Sequence, residues 1–225
     1  MIKYDRIGFN PCTLDDNDID KIQLGMIPSG SRVLEIGCAT GFMSEYLNNV
    51  KNCFVYGVES NIDQANAAKN KCNFVLNGSI DDKNTQHTID EYIDKNFKFD
   101  VIFMSQVIEH IAFPNDVLVK LKEWLNDDGI LVISTVNIAH WLSRIRLLFG
   151  IWKYEQFGLF DNTHLRFFSL DGFENDLTSS GYEVLDEGYN IHDFTIFFMV
   201  PKFKYITPSL FLHNLPFLGE KLFKW

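Results

Sequence analysis

Glu35, Gly37, Gly41 and Glu59 are the residues whose types and spacing most directly imply chemistry. Glu35 stands in a short apolar run, Val33-Leu34-Glu35-Ile36, which ends in a turn of Gly37, Cys38, Ala39, Thr40 and Gly41 before Phe42. Glycine at such a turn lets the backbone take positive φ and lets a ligand come close to the main chain. A second apolar run, Val55-Tyr56-Gly57-Val58, ends in Glu59, 22 residues beyond Gly37, with Ser60 next. An acid at that distance, on the tip of the second strand, is placed to accept hydrogen bonds from both hydroxyls of a ribose. The pattern is that of a nucleoside-cofactor site. A dinucleotide fingerprint starting at Gly37 needs glycine where this chain has Ala39 and Phe42, so the turn lacks the glycine that admits a pyrophosphate. No G-x-x-x-x-G-K-[ST] phosphate loop occurs either.

The elements that must position these residues alternate. Strands are expected at 32–36, 53–58, 73–76, 99–104 and 130–135, and helices at 42–49, 63–71, 89–96 and 115–125. Pro114 opens the last of these helices and Asp128-Gly129 is expected to close it. Apolar strands separated by helices imply a parallel sheet covered on both faces. Beyond 135 the rhythm changes: helices are expected at 139–149 and 170–179, and β-rich runs at 182–187 and 194–200. Ligands of such a sheet bind beyond the carboxyl ends of its strands. That rule selects Glu35 to Gly41, Glu59 and Ser60, then Gly78, Ser79 and Ile80, then Ser105, Gln106, Val107 and His110, and finally the segment from Thr135 to His140.

Composition bounds the function class. At 225 residues, 46% apolar and 22% charged, the chain is long enough for one well-buried domain. A formal charge of −10 argues against a nucleic-acid partner, because phosphate binding leaves a basic footprint. Basic residues do gather at Arg144, Arg146 and Lys153, which leaves an anionic substrate open. The cysteines Cys12, Cys38, Cys53 and Cys72 form no C-x-x-C pair, as expected of reduced thiols in a cytoplasmic protein. No charged-then-apolar signal pattern opens the chain, no apolar run approaches membrane-spanning length, and no acid cluster demands a metal.

The acid-x-Gly-x-small-x-Gly turn with its second-strand acid resembles the first two motifs of class I S-adenosylmethionine (SAM) methyltransferases. The segment from Phe99 to His110, ending Ile108-Glu109-His110, resembles the fourth-strand motif of the same superfamily, which lines the methionine end of SAM. The resemblance implies a Rossmann-like, doubly wound, mostly parallel seven-stranded sheet with an antiparallel strand near the C-terminus. It also implies SAM as cofactor and S-adenosylhomocysteine as product. In the family an acid that bonds adenine often stands where this chain has Ser79. A second series is more specific: Ser134-Thr135-Val136-Asn137-Ile138-Ala139-His140-Trp141, Gly158-Leu159-Phe160-Asp161 and Thr163-His164-Leu165-Arg166-Phe167-Phe168-Ser169. It resembles methyltransferases encoded with, or fused to, bacterial glycosyltransferases of surface-glycan pathways. Those relatives usually have proline where this chain has Val136 and a basic residue where it has Asn162. The organisation implied is one methyltransferase domain over 1–200, with a substrate-side insertion at about 137–168, and an apolar tail over 201–225.

A hydroxyl acceptor, less acidic than even a phenol at about 10, needs a base. Histidine, with an unperturbed pKa near 6.5, is the usual choice. The order of preference is His164, then His140, then His110. His164 leads because Asp161 precedes it by three residues and Arg166 follows by two. The acid would orient the ring, and the arginine would hold a hydroxyl, carboxylate or phosphate of the substrate. Asn137 and His140 complete the expected substrate side. Helix capping by His140 and a structural knot at His164 and Arg166 are the plainer roles for the same residues. Phe149, Trp152, Tyr154, Phe157 and Phe160 are expected mainly to pack under a lid, and the stripe Trp141, Leu142, Ile145, Leu148 and Phe149 to pack on the core.

The expected function is methylation of a hydroxyl on a saccharide, or on a nucleotide- or lipid-linked polar precursor. A quinone-like, carboxylate or amine acceptor is the alternative within the class. A SAM-binding, non-catalytic partner of a glycosyltransferase is the alternative outside it. The tail residues Leu210, Phe211, Leu215, Phe217, Leu218, Leu222, Phe223 and Trp225 leave three roles open: docking on the domain, a homodimer contact, or peripheral contact with the inner face of the cytoplasmic membrane.

Overall fold

Side chains alternate across a strand, and the first strand shows what that does here. In β1 (Arg32–Ile36) Leu34 and Ile36 enter one apolar layer while Val33 enters the other. The structure, a computed structural model, describes Arg6 and residues 8–188. After α1 (Ile19–Met26) and β1 come α2 (Phe42–Asn49), β2 (Phe54–Glu59), α3 (Ile62–Ala68), β3 (Phe74–Asn77), α4 (Lys83–Lys95), β4 (Phe99–Ser105), α5 (Pro114–Trp124), β5 (Leu125–Ser134), α6 (Trp141–Leu148) and α7 (Leu170–Ser179). Short 3₁₀ turns occupy Pro11–Thr13 and Ile108–His110.

The strands pair in the order β3-β2-β1-β4-β5, every pair parallel. One layer joins Tyr56, Val58, Ile102 and Met104 to Ile89 of α4 and to Val117, Leu118, Leu121 and Trp124 of α5. The other joins Val55, Val101 and Phe103 to Leu24 of α1, Met43 and Leu47 of α2 and Ala68 of α3. The chain leaves β1 toward β2 on one side and returns to β4 on the other, so the topological switch lies between β1 and β4, where a crevice must open.

Two expectations about the sheet need correction. Among the described residues it has five strands, all parallel, not seven with an antiparallel one. The run 182–187 is described and joins no ladder; it is tied to α5 instead, Tyr182 Oη donating to the Leu118 carbonyl at 2.9 Å and Lys122 Nζ to the Gly181 carbonyl at 2.9 Å. The run 194–200 and the tail 201–225 lie outside the described residues. Asp128-Gly129 does not close a helix either. α5 stops at Trp124 and β5 starts at once, Leu125 pairing with Phe99 before the register shifts and Ile130 pairs with Val101. Residues 126–129 bulge between, anchored where Asn126 Nδ2 donates to Asp100 Oδ1 at 2.7 Å. α1 was not anticipated, although Asp18, which caps it at the Asp20 amide, and Ile19, Ile22 and Met26 on one face were visible signals.

Asp100 also receives Arg32: the guanidinium Nη2 stands 2.6 Å from Oδ1, and the Arg32 amide donates to Oδ2 at 2.8 Å. The Arg32 side-chain bond, foremost, holds the carboxyl down at about 2. A carboxylate whose pKa is depressed by folding stabilises the fold above its unfolded value of about 3.9, and that contribution vanishes as pH falls toward 2. The pair is about a third exposed, so screening limits it, and Asp100→Ala is expected to cost about 1 kcal/mol at pH 7. Urea melts at pH 7 and pH 2.5 should show the gap between wild type and variant narrowing in acid.

Candidate active site

The turn after β1 is sewn to the tip of β2. Gly37, at φ +74°, donates its amide to the Val58 carbonyl at 2.8 Å, and Cys38 shares that carbonyl at 3.1 Å. A Cβ on Gly37 would collide with Val107 Cγ2, so glycine is what lets the ends of β1 and β4 come together. Ala39 also holds positive φ, 49°, and its amide donates to Glu59 Oε2 at 2.9 Å. Glu59 Oε1 accepts from the Asn61 amide at 2.8 Å. Ser60 Oγ also donates to Oε1, at 3.4 Å, a long bond that a ligand hydroxyl can displace, while Oε2 keeps a lone pair free. Gly41 caps α2 in the left-handed conformation, and a Cβ there would stand 3.2 Å from Ala68 Cα. Its part is to seat α2 against α3; it does not line the crevice.

Glu35 is fully buried beneath this turn and accepts from Ser44 Oγ. Burial pushes its carboxyl up to about 8, the nearby Cys72 thiol adding to the shift and the Ser44 hydroxyl opposing it. The folded value lies above the unfolded one, so the stability this group contributes is complete below about 4.3 and is lost as pH rises through 8. Glu35→Gln removes the ionisation and keeps the shape. Its stability relative to wild type is expected to rise between pH 5 and pH 8.5 by a few kcal/mol, on the order set by the shift. Denaturant titrations at the two pH values check this, and a pH-independent difference would contradict it.

The β4 end forms the facing wall. Gln106, at φ 54°, donates from Nε2 to Ser134 Oγ at 3.0 Å, and Ser105 Oγ donates to Gln23 Oε1 at 2.8 Å. Ser79 Oγ donates to Asp81 Oδ1 at 2.5 Å, Gly78 fits against Thr85, and Ile80 is buried in the core beneath. The crevice is lined by Glu35, Gly37, Cys38, Ala39, Phe42, Glu59, Ser60, Gly78, Ser79, Ile80, Ser105, Gln106, Val107 and His110, and by Asn137, Asp161 and His164 on the acceptor side. It measures about 1670 Å³ because it runs on into a groove beside β5.

On the acceptor side His110 and His164 meet edge to face, ring centroids 4.9 Å apart. The loop carrying His164 is held where the Leu165 and Arg166 amides donate to the Glu109 carbonyl at 2.8 and 3.0 Å. Asp161 Oδ1 accepts from the Thr163 amide at 2.8 Å and from its hydroxyl at 2.6 Å, which shapes the turn entering His164. Glu109 itself is wholly buried; burial raises its carboxyl to about 7, with the bond from Thr135 Oγ1 opposing. Glu109, His110 and His164 are the one group among the described residues able to offer three converging metal-type donors.

Not every expected site residue arrives. Arg166 Nε donates to the Ala112 carbonyl at 2.8 Å, with Nη2 on the same oxygen, so it ties the loop down and does not line the crevice. His140 caps α6, accepting from the Leu142 amide at 3.4 Å, and does not line it either. Of the expected lid aromatics Phe160 is buried, whereas Phe149, Trp152, Tyr154 and Phe157 are exposed; Leu142 and Leu148 of the α6 stripe are exposed too. Arg6, Asp20 and Gln23 enter the crevice wall unannounced. Arg6 Nη1 stands 2.6 Å from Asp20 Oδ2, and burial raises the Asp20 carboxyl against that cation. The signal for Asp20 and Gln23 was the Asp18-capped helix α1.

A model of the methyltransferase-domain family matches residues 18–187. The chain belongs to the class I SAM-dependent methyltransferases. It is similar to the (S)-coclaurine N-methyltransferase of Papaver somniferum, 32% identical over 129 residues, 55% of this chain and 36% of that one. It is likewise similar to the ubiquinone biosynthesis O-methyltransferase of Glaesserella parasuis, 32% identical over 114 residues, 48% of this chain and 46% of that one. The methyltransferase thus spans less than half the length of these curated relatives. A SAM-dependent methyltransferase from Archaeoglobus fulgidus shares its fold with a TM-score of 0.61 at 17% identity, over 91% of this chain and 86% of that one. No helix among the described residues is long and apolar enough to cross a membrane.

Neither named relative concerns a glycan; one is an O- and the other an N-methyltransferase. The family's cofactor suits the turn built here. Gly37 lets Val107 close against the turn, Glu59 Oε2 keeps a lone pair for a ribose hydroxyl, and Gln106 and Val107 line the far side.

Proposed function

We propose that this methyltransferase transfers the methyl group of SAM to a hydroxyl of a small polar acceptor, a saccharide or a nucleotide- or lipid-linked saccharide precursor. The observation that carries the reading is the pair of histidines, His110 and His164, edge to face on the acceptor side of the cofactor turn. An aliphatic hydroxyl cannot be methylated at neutral pH without losing its proton, and imidazole is the side chain suited to take it. Bound SAM supplies a methyl carbon activated by a sulfonium. Glu59 and the Gly37 turn hold and orient the donor, and alignment by such groups supplies roughly 7–11 kcal/mol of the barrier. His164 would take the hydroxyl proton, leaving the oxygen to displace the neutral thioether sulfur from the methyl carbon. His110, braced against the Thr163 carbonyl at 3.1 Å, keeps the neighbouring ring in place.

A phenolic acceptor is the second reading, favoured by the similarity to ubiquinone O-methyltransferases. A phenol, with a pKa of about 10, needs less help from a base. The experiment is S-adenosylhomocysteine release with parallel panels of sugars, nucleotide sugars and catechol-type phenols, on wild type and His164→Ala. Turnover of sugars lost in the variant supports the first reading; turnover of phenols retained in the variant supports the second. Release with neither panel would overturn both.

A further inference from the structure

Glu109, His110 and His164 converge although two come from the turn after β4 and the third from the excursion between Asn137 and Phe168. One donor atom from each lies within 4.8 Å of the others. Glu109 is 0% exposed, and its two oxygens differ: Oε2 accepts from Thr135 Oγ1 at 3.2 Å, whereas Oε1 has no hydrogen-bond partner among the described residues. A buried carboxylate oxygen without a partner is costly and unusual. His110 Nδ1 stands 3.1 Å from the Thr163 carbonyl oxygen. A carbonyl only accepts, so Nδ1 carries the hydrogen and Nε2 keeps its lone pair. That tautomer, held by a backbone carbonyl, is the one found in metal-ligating histidines.

We propose that Glu109 Oε1, His110 Nε2 and one ring nitrogen of His164 bind a divalent transition-metal cation, Zn²⁺ or Mn²⁺ by the chemistry of the donor set. Ligands around one such ion stand about 3–3.5 Å apart, given bonds of about 2.0–2.2 Å, so the donor separations shorten by up to about 1.5 Å on binding. All three line the crevice, which leaves the remaining coordination positions facing the acceptor. Binding of the ion stands on this geometry alone; its catalytic consequence rests on the proposed hydroxyl methylation. With the ion bound, His164 serves as a ligand and not as the base: the coordinated hydroxyl is acidified by the cation and loses its proton to water in place of the ring. Its oxygen then bonds to the methyl carbon as the sulfur–methyl bond breaks, and the sulfur leaves as a neutral thioether.

The test uses chelator-stripped full-length protein, titrated by calorimetry with ZnCl₂ and MnCl₂, and with CoCl₂ followed by visible absorption. Wild type should take up one ion per chain and show cobalt ligand-field bands. Glu109→Gln and His110→Ala should weaken binding by about 100-fold or more, while thermal melting and SAM binding confirm that each variant is folded. His87→Ala serves as a control, since His87 Nε2 and Glu91 on the exposed face of α4 stand 3.3 Å apart and offer a surface alternative. Uptake lost in His87→Ala and kept in Glu109→Gln would overturn the proposal, as would no stoichiometric uptake by wild type. Stoichiometric uptake without any S-adenosylhomocysteine release sinks the hydroxyl-methylation reading alone. Release that persists undiminished after chelation, with no ion bound, overturns the ion's part in catalysis alone, since uptake decides the site.

Discussion

Glu59→Ala is expected to abolish SAM binding, weakening it by about 100-fold or more. The carboxylate makes charge-assisted bonds to the ligand, worth about 1.5–3 kcal/mol each, and the two ribose hydroxyls supply two of them. The structure adds a second loss. Glu59 Oε2 holds the Ala39 amide at 2.9 Å while Ala39 sits at φ 49°, a conformation that alanine adopts only at a cost of about 1–2 kcal/mol. Remove the carboxylate and the turn has less reason to keep the shape that receives the cofactor. Glu59→Gln keeps one acceptor oxygen and should lose less. Calorimetric titration with SAM, S-adenosylhomocysteine and NAD on all three proteins reads this directly; undiminished SAM binding in Glu59→Ala would remove the acid from the site.

His164→Ala has the opposite signature. SAM binding should stay within about threefold of wild type, because the cofactor turn is built from β1, β2 and their connections and makes no use of the 137–168 segment. Turnover of an aliphatic hydroxyl should fall by about 10²–10⁴, the range for a lost general base. The loop that carries His164 does not depend on the ring: the Leu165 and Arg166 amides hold it to the Glu109 carbonyl, and Arg166 ties it to Ala112. A variant that loses SAM binding and turnover together would show that His164 supports the fold or the cofactor, and the division of roles would fail. Arg166→Ala, by contrast, should loosen the loop and lower the melting temperature without selectively changing the affinity for an acidic acceptor.

The turn after β1 and its link to the tip of β2 were legible because they are local. A glycine that must take positive φ, an acid at the tip of the next strand, and the helix between them lie within one βαβ unit, and strand alternation decides which side chains face which layer. For β1, α2 and α7 the expected bounds coincide with those observed. Errors begin where a residue's role depends on a partner far along the chain. His140 and His164 are both buried histidines, yet one caps α6 while the other meets His110; residue type and spacing do not distinguish them. Arg166 looked like a substrate cation until Ala112 claimed its guanidinium. The bulge in β5 follows from pairing with β4, which no window on 125–135 contains. The sequence by itself determined the alternating fold and the glycine turn between β1 and α2, because φ preference and apolar period are properties of neighbours. Only the tertiary structure decided which histidines and carboxylates share a site. That convergence hangs on backbone bonds such as those from Leu165 and Arg166 to Glu109, between segments that the linear sequence keeps apart.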